Sequence, residues 1–461
     1  MTITETSSFV ALRDRVQHLL LAAYPDLIAR TGWDRSRIVD HQRDRLRELL
    51  AHAAARSPFH ARRLAGIDPG TVDPTDLTAL PVMTKSAMMA ELDDVFTDRE
   101  LTYPQVEAAL AATGAEPVAV RGEYIAFASG GSSGERGVFV YDDPASVQHV
   151  GAITRGLVAR IQQTGGPPPG GLPAAFVGAA SPVHQTGAAP ALVAGGTMPV
   201  RFLPVPITLP QPEIVARLNA LAAPVLFGYP TMLARLAAER TAGRLRIDPV
   251  VVTCTSETCT PELRAAITAG FGAPVVDTFA ASEGVSGSAA PGEDVLTFAE
   301  DGCIIELVDS DNRPVPPGTP SAKVLVTNLY NRVQPLIRYE LTDSFVSQPP
   351  AAGHGYLRAR VQGRADEAFR YGDLTVHPLV VRSVLVHAAD VVEYQVHQTP
   401  DGLDATVVAA RTTLDESRLR TDLAAALARA GLRRPVVTVR TVPDLPRHPQ
   451  TGKLRRFLPL P

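Results

Sequence analysis

At 461 residues the chain is longer than one hydrophobic core usually supports, so two domains are the expectation. Its net charge of -4 combines 44 basic and 48 acidic residues, which argues against nucleic acid as the main partner. No run approaches the roughly 18 to 20 apolar residues that cross a bilayer, Met1 to Val10 lacks the basic and apolar regions of a signal peptide, and Cys254, Cys259 and Cys303 fit neither a disulfide framework nor a metal site of usual spacing; the expectation is a soluble cytoplasmic protein with reduced thiols and no membrane partner.

In chain order, Phe9 to Ala55 carries helical spacing, with Leu12, Val16, Leu19 and Leu20 on one stripe. Two β-like runs, Tyr124 to Phe127 and Val138 to Tyr141, flank the glycine-rich segment Ala128 to Gly137. Gly165 to Gly171, with three prolines among glycines, reads as a surface loop. Beyond it the short apolar runs Ala174 to Val177, Met198 to Leu203, Val225 to Phe227 and Val250 to Thr253 read as buried strands. They alternate with helical patterns over Gln211 to Ala222, Thr231 to Thr241 and Pro261 to Gly270, the last with a proline suited to a first helical turn. Such alternation implies a mostly parallel sheet flanked by helices. Cys303 to Val308 and Lys323 to Tyr330 then suggest a β meander.

After Asp366 the pattern restarts: a β region to Val376, a helix over Pro378 to Ala388, strands at Val391 to His397 and Ala405 to Ala410, a helix over Leu414 to Ala430, and a strand at Pro435 to Val442. That is the size of a small α+β domain. The fold expectation is therefore α/β: a large N-terminal domain over 1–364, with mostly parallel sheets, helices and a meander, and a small α+β domain over 365–461.

The segment Ser129-Gly130-Gly131-Ser132-Ser133-Gly134 is chemically the most specific. Glycines let a loop turn successive amides toward one point, and serine hydroxyls add donors that rotate to suit phosphate oxygens. It is not a Walker loop, because no Gly-Lys-Ser/Thr follows; a nucleotide-phosphate loop and a plain hairpin turn both remain open. Lysine is scarce, with Lys85, Lys323 and Lys453 against a background of arginine, and Lys453 lies near the carboxyl end in Thr451-Gly452-Lys453. A lysine in such a background suggests a site that wants a compact ammonium, and codon drift explains it equally.

Together these segments resemble the adenylate-forming superfamily of acyl-CoA synthetases and adenylation domains, and most closely its phenylacetate–CoA ligase branch. Ala128 to Gly137 resembles the family's phosphate loop, with Arg136-Gly137 where lysine and proline are usual. Asp277-Thr278-Phe279-Ala280-Ala281-Ser282-Glu283-Gly284 resembles its Tyr-Gly-x-Thr-Glu segment, with Phe279 for tyrosine. Arg338-Tyr339-Glu340-Leu341-Thr342-Asp343 resembles Arg-Tyr-x-Thr-x-Asp, with Glu340 for a common arginine. Gly363-Arg364-Ala365-Asp366-Glu367 resembles the Gly-Arg-x-Asp-Asp hinge, Thr84-Lys85 matches the branch's Thr-Lys pair, and Thr451-Gly452-Lys453 matches the late Gly-Lys motif.

The resemblance implies ATP-dependent activation of a carboxylic acid as an acyl-adenylate, with pyrophosphate release, then transfer to the thiol of coenzyme A. Lys453 would bridge carboxylate and α-phosphate, Glu283 would hold Mg²⁺, and Ser282 would offer its hydroxyl to phosphate. Asp277 would lie beside the nucleotide and Phe279 beside the adenine or the acyl group, Asp343 would accept from ribose hydroxyls, and Arg364 would add a second ribose or phosphate contact. Asp366 would be the hinge of a small domain that rotates between half-reactions, with Lys453 on a loop beyond its last strand. The acyl pocket would draw on His184, Gly228, Tyr229 and Ser256, with Gly187, Ala188 and Ala189 leaving room for an aromatic or cyclic acid. His184 is otherwise a structural loop histidine, and Tyr229 is equally a core residue. Gly372, in Arg370 to Asp373, would line the coenzyme A channel. A carrier protein, an amine or nitrite are alternative reactants, a homodimer is in keeping with the branch, and a catalytically silent nucleotide-binding scaffold is the reading from another class.

Overall fold

The computed structural model describes residues 3–129, 136–179, 181–195, 198–351, 353–364, 367–376, 378–388, 390–409, 414–448 and 452–460. Their contacts separate the chain into two units, 1–341 with 345–361 and 342–344 with 362–461.

The first helical segment resolves into two helices, Ile3–Arg30 and Arg35–Arg56. Asp34 breaks the pattern, because its side chain accepts from the Arg37 amide and starts the second helix. Leu12, Val16, Leu20, Tyr24 and Leu27 of the first helix are buried, whereas Leu19 of the expected stripe is exposed. This stripe packs on the helix Asp143–Gln163, where a side chain in place of Gly151 would collide with Leu27.

The strands of this unit are β1 Ile125–Ala128, β2 Val138–Tyr141, β3 Leu172–Gly178, β4 Val200–Pro206, β5 Val225–Gly228, β6 Val251–Thr255, β7 Val275–Ala280, β8 Ser286–Ala289, β9 Leu296–Phe298, β10 Cys303–Val308, β11 Lys323–Asn328 and β12 Tyr339–Leu341. β13 Asp343–Gln348 and β14 Arg358–Arg364 follow, and the boundary between the units falls within them. A nine-stranded sheet has the order β13-β14-β9-β8-β7-β6-β5-β3-β4. Neighbours from β4 to β7 are parallel, and β8, β9 and β14 add on antiparallel. β1 and β2 form an antiparallel hairpin, and β10, β11 and β12 form the expected meander.

Helices Gln185–Leu192, Gln211–Leu221, Pro230–Thr241 and Pro261–Phe271 connect the parallel strands. The last is delimited on both sides by sequence: Thr260 accepts from the Leu263 amide, Pro261 occupies the first turn, and Gly272 closes the end in a left-handed conformation. From β3 the chain moves outward to β4, then returns to β5 on the other side of β3. This reversal creates a switch point, and open α/β sheets bind ligands in the crevice outside the carboxyl ends of their strands at such points.

In the second unit the strands are β15 Phe369–Tyr371, β16 Leu374–Val376, β17 Val391–Thr399, β18 Gly402–Ala409, β19 Val436–Thr441 and β20 Phe457–Leu458. The last four form one sheet in the order β19-β18-β17-β20. Helices Pro378–His387 and Glu416–Arg429 pack on it through Val381, Leu385, Leu419, Leu423 and Leu427. One expectation is corrected here. Lys453 does not follow the last strand; it precedes β20, where buried Phe457 pairs with Val396 in parallel. Two residues are too short for periodicity to reveal a strand.

Charge is also used inside the first unit. Arg155, on Asp143–Gln163, donates two hydrogen bonds to Asp301 at 2.8 and 2.9 Å, and to the Leu27 carbonyl at 3.2 Å. Arg30 adds a cation 3.8 Å from the fully buried Asp301 carboxylate. Breaking one partner of a buried pair leaves the other charge desolvated, at about 3–5 kcal/mol. Asp301→Asn is therefore expected to lower the unfolding free energy of the first unit by about 3–5 kcal/mol, seen as a lower urea midpoint than the parent protein's; an unchanged midpoint would show that Arg155 finds compensation elsewhere.

Candidate active site

The residues singled out in the large unit gather at the carboxyl ends of its parallel strands. After β3 come Ser181 to Gln185, after β5 Tyr229, after β6 Ser256, and after β7 Ser282 and Glu283. The neck of the glycine-rich loop is closed by two bonds: the Ser129 amide donates to the Gly137 carbonyl at 2.8 Å, and the Gly137 amide donates to Ser129 Oγ at 2.9 Å. Gly130, Gly131, Ser132, Ser133 and Gly134 lie outside the described residues. Arg136 pairs with Glu107 at 3.1 Å on the exposed side.

The segment after β3 docks on this neck. The Ala128 amide donates to the Val183 carbonyl at 2.7 Å, and His184 Nδ1 contacts the Ala128 carbonyl at 3.2 Å. His184 ends the loop after β3 as the residue before the helix Gln185–Leu192, whose Gly187 and Ala188 amides donate to its carbonyl. Gly187 and Ala188 do not leave space either. A side chain at Gly187 would meet the Ser181 carbonyl, and Ala188 is buried in the core. Gly228 is similarly packed, against Val177 and Leu233. Tyr229 is fully buried, and its hydroxyl accepts from the Ala179 amide at 3.2 Å, so it supports the turn after β3; burial pushes this phenol up to about 12. Ser256 adopts a left-handed φ of 68° at the end of β6. Strain of this kind in a non-glycine residue clusters at functional sites. Next to it, Glu257 accepts from the Thr231 hydroxyl at 2.8 Å at the start of Pro230–Thr241.

Ser282 and Glu283 occupy a turn held from three sides. The Ala281 amide donates to the Val285 carbonyl and the Gly284 amide to the Ala281 carbonyl, both at 2.9 Å. The Tyr141 hydroxyl, from β2, donates to the Ser282 carbonyl at 2.9 Å. Asn328 Nδ2 donates to the Glu283 carbonyl at 3.1 Å. Gly284 has φ 99°, and a side chain there would strike Asn328. Glu283 is buried at 7 % exposure, in a turn whose backbone these bonds hold. Among the described residues no group of three His, Cys, Asp or Glu side chains is arranged to hold a metal. A single carboxylate nevertheless suits Mg²⁺, which takes one or two protein carboxylates beside phosphate and water.

On β7, Asp277 lies 3.6 Å from Arg264, and Phe279 packs edge-on to Phe298 and Phe345. Burial pushes the Asp277 carboxyl up to about 7, against the opposing pull of Arg264. The Arg-Tyr segment contains a residue whose role the sequence concealed. Buried Arg338 donates to both oxygens of Glu306, at 3.1 and 2.9 Å, and to the Leu80 carbonyl at 2.7 Å, in a left-handed φ of 49°. Glu340 pairs with Lys323 at 2.8 Å.

In the second unit Arg364 donates to the Thr342 hydroxyl at 2.7 Å, which sets it beside half-buried Asp343. Gly372 turns the β15–β16 hairpin with φ 60°, as two-residue hairpin turns require. Lys453 is half-buried in a loop closed by the Gly452 amide donating to the His448 carbonyl at 2.8 Å and the His448 amide to the Lys453 carbonyl at 3.0 Å. Asp366 lies outside the described residues.

Asp277 gives a test of its environment. The unfolded carboxyl loses its proton near pH 4 and the folded one near 7, so the folded state holds a proton that the unfolded state has released between them. Stability from this group is therefore highest at low pH, falls as pH rises through that window, and levels off above it. Asp277→Asn is expected to flatten this decline, measured as the difference in thermal midpoint between pH 5 and pH 8.

No protein-family model matches the sequence, and no curated protein is detectably similar to it. Solved structures are. A 2-hydroxyisobutyryl-CoA ligase in its postadenylation state, bound to an acyl-AMP, aligns with a TM-score of 0.69 at 17% identity over 93% of this chain and 90% of its own. A benzoate CoA ligase from Burkholderia xenovorans aligns with a TM-score of 0.52 at 18% identity, over 75% of this chain and 69% of its own. The amide bond synthetase McbA from Marinactinospora thermotolerans aligns with a TM-score of 0.51 at 18% identity, over 69% and 65%. By sequence order, sheet topology and these likenesses, the chain has the fold of the adenylate-forming ligases.

Proposed function

We propose that the protein activates a carboxylic acid with ATP and passes the acyl group to the thiol of coenzyme A, as an AMP-forming acid–thiol ligase. The observation that carries this reading is the turn at Ser282 and Glu283. It stands at the carboxyl edge of β7 and accepts from Tyr141 of the hairpin whose strands flank the glycine-rich segment, so that hairpin and the carboxylate-bearing turn are joined directly.

In the first step a carboxylate oxygen attacks the α-phosphorus, the bond to the bridging oxygen of the β-phosphate breaks, and pyrophosphate leaves. Two anions approach each other, so catalysis is mainly positioning and charge neutralisation. Glu283 would hold Mg²⁺, which supplies positive charge against the phosphates. Asp277, Phe279 and Ser129 would bound the nucleotide, and Asp343 with Arg364 the ribose. Lys453 would bring its ammonium to the oxygen on which charge develops. In the second step the thiol loses its proton and attacks the acyl carbon, the acyl–phosphate bond breaks, and AMP leaves. Rotation of the second unit about Asp366 would exchange Lys453 for the Gly372 hairpin between the steps.

The nature of the acid follows the resemblance, which favours an aromatic or cyclic carboxylate lying near Gly228, Ser256 and His184. An amine acceptor is the second reading, because the fold is shared with an amide bond synthetase. No helix among the described residues is long and apolar enough to cross a membrane.

The test is acid-dependent pyrophosphate release from ATP and Mg²⁺ across aryl, cyclic and short hydroxylated carboxylates, with and without coenzyme A. Lys453→Ala is expected to lower release by about 10²- to 10³-fold, the usual cost of removing one group that stabilises developing charge. Thioester formation from a supplied acyl-adenylate should stay within a few fold of the parent. Pyrophosphate release by the parent with none of the acids would overturn the reading; release followed by amide rather than thioester formation would select the amine acceptor.

A further inference from the structure

Behind the Ser282–Glu283 turn, side chains form a polar chain that the proposed chemistry does not use. Ser282 Oγ donates to Gln185 Oε1 at 3.3 Å, and Gln185 Nε2 meets His149 Nε2. His149 comes from the helix Asp143–Gln163, is buried, and stacks edge-on against Tyr141, the residue that also holds the Ser282 carbonyl. Beyond it lies a small cavity of about 10 Å³, lined among others by Gln148, His149, Gly284, Ser286, Gly302 and Asn328. That volume is about one water molecule's worth. Three of its lining residues carry buried polar atoms with no partner among the described residues: Gln148 Nε2, His149 Nδ1 and Ser286 Oγ. Orphaned polar atoms of this kind cost free energy singly, so three around one cavity point to a shared partner.

The hydrogen directions follow from one end to the other. An amide nitrogen only donates, so His149 Nε2 must accept from Gln185, and the imidazole proton sits on Nδ1. Burial holds this imidazole neutral by pulling its pKa down to about 4. The Nδ1–H and Gln148 Nε2–H are both donors. A water held between them would accept from both and turn one hydrogen to Ser286 Oγ, leaving no orphan.

We propose that His149 is a positioning residue that acts through Gln185 to fix the direction of the Ser282 hydroxyl, with a water enclosed by Gln148, His149 and Ser286 completing the chain. The functional half of this inference rests on the reading of the Ser282–Glu283 turn as part of the adenylation site, and it revises the expectation that Ser282 offers its hydroxyl to phosphate. With its hydrogen committed to Gln185, Ser282 presents an acceptor oxygen to whatever binds there, which suits a cation or a hydroxyl more than a bare phosphate oxygen.

The network is tested without any substrate by nitrogen NMR of the full chain labelled at histidine, with His149→Gln identifying the resonance. The expected result is a neutral ring protonated at Nδ1 near pH 7, whose Nε2 signal shifts in Gln185→Ala. Protonation at Nε2 would reverse the amide, make Ser282 the acceptor, and overturn the proposal. The functional half is tested by a double-mutant cycle on adenylation. His149→Leu is expected to lower kcat by about 10- to 100-fold, the usual effect of supporting shells, with a smaller change in KM for ATP. His149→Gln, which keeps an acceptor for Gln185, should recover most of it. In a Ser282→Ala background the His149→Leu effect should largely vanish. Additive effects, or no recovery by glutamine, would reduce His149 to a packing role. If no acid supports adenylation, the functional reading falls while the NMR result still decides the network.

Discussion

Buried amides are costly unless both ends are satisfied, and the candidate site hangs on three of them spaced three residues apart, Asn328, Asn331 and Gln334. Gln334 takes the place of a neighbouring strand along β2: its Oε1 accepts from the Val140 amide at 2.7 Å and its Nε2 donates to the Val138 carbonyl at 3.0 Å. Asn331 Nδ2 donates to the Val140 carbonyl at 2.9 Å, and its Oδ1 accepts from the Gln334 amide at 3.1 Å. Asn328 Oδ1 accepts from the Tyr330 and Asn331 amides, which orients its Nδ2 toward the Glu283 carbonyl. One short segment thus fixes the hairpin that carries the glycine-rich loop and the turn that carries Glu283. A hairpin alone is marginal in water, and side-chain amides here supply the edge it lacks without prolonging the sheet.

Arginine supplies the second layer of this scaffold. Arg338 ties the meander to Leu80 while clamping Glu306, and Arg155 ties two long helices to Asp301. A planar fork suits such sites because it satisfies a carboxylate with two parallel bonds and still reaches a carbonyl. Lysine is rarer but not reserved for chemistry. Lys323 is committed to Glu340, and Lys85 begins the helix Lys85–Ala90 after the Thr84 cap. The scarcity of lysine therefore says little by itself about Lys453, whose case rests on its motif and its place in the second unit.

The sequence made the strands and helices of both units legible where apolar runs alternate with glycine and proline. β2, Cys303–Val308 and the start of Pro261–Phe271 fall where the pattern puts them. It also made legible the segments that meet at the carboxyl edge of the sheet, because their glycines and carboxylates are local signals. The amides were not legible. Asn331 and Gln334 bond to residues 191 to 196 positions away, and an isolated Asn or Gln carries no mark of such a partner. Gly187 and Tyr229 were misjudged or left undecided for a related reason, since space near a site depends on what packs against it. The helix Gln185–Leu192 was hidden because it is short, with Pro190 inside it.

The loop of Lys453 has the same economy on a smaller scale. Before it, Arg447 pairs with buried Glu393 of β17 at 2.6 Å. After it, Gln395 Nε2 donates to the Arg455 carbonyl at 2.8 Å and the Val396 amide to the Arg456 carbonyl at 2.7 Å, where β20 begins. Both flanks of the lysine are thus tied to a single strand, and the Gly452 amide and the Lys453 carbonyl bond back to His448. Fixing a flexible chain costs side-chain and backbone entropy, and these bonds meet the backbone share during folding for the residues that flank Lys453. A short terminal strand that periodicity could not reveal is therefore the element that holds the carboxyl-terminal flank of Lys453 against β17.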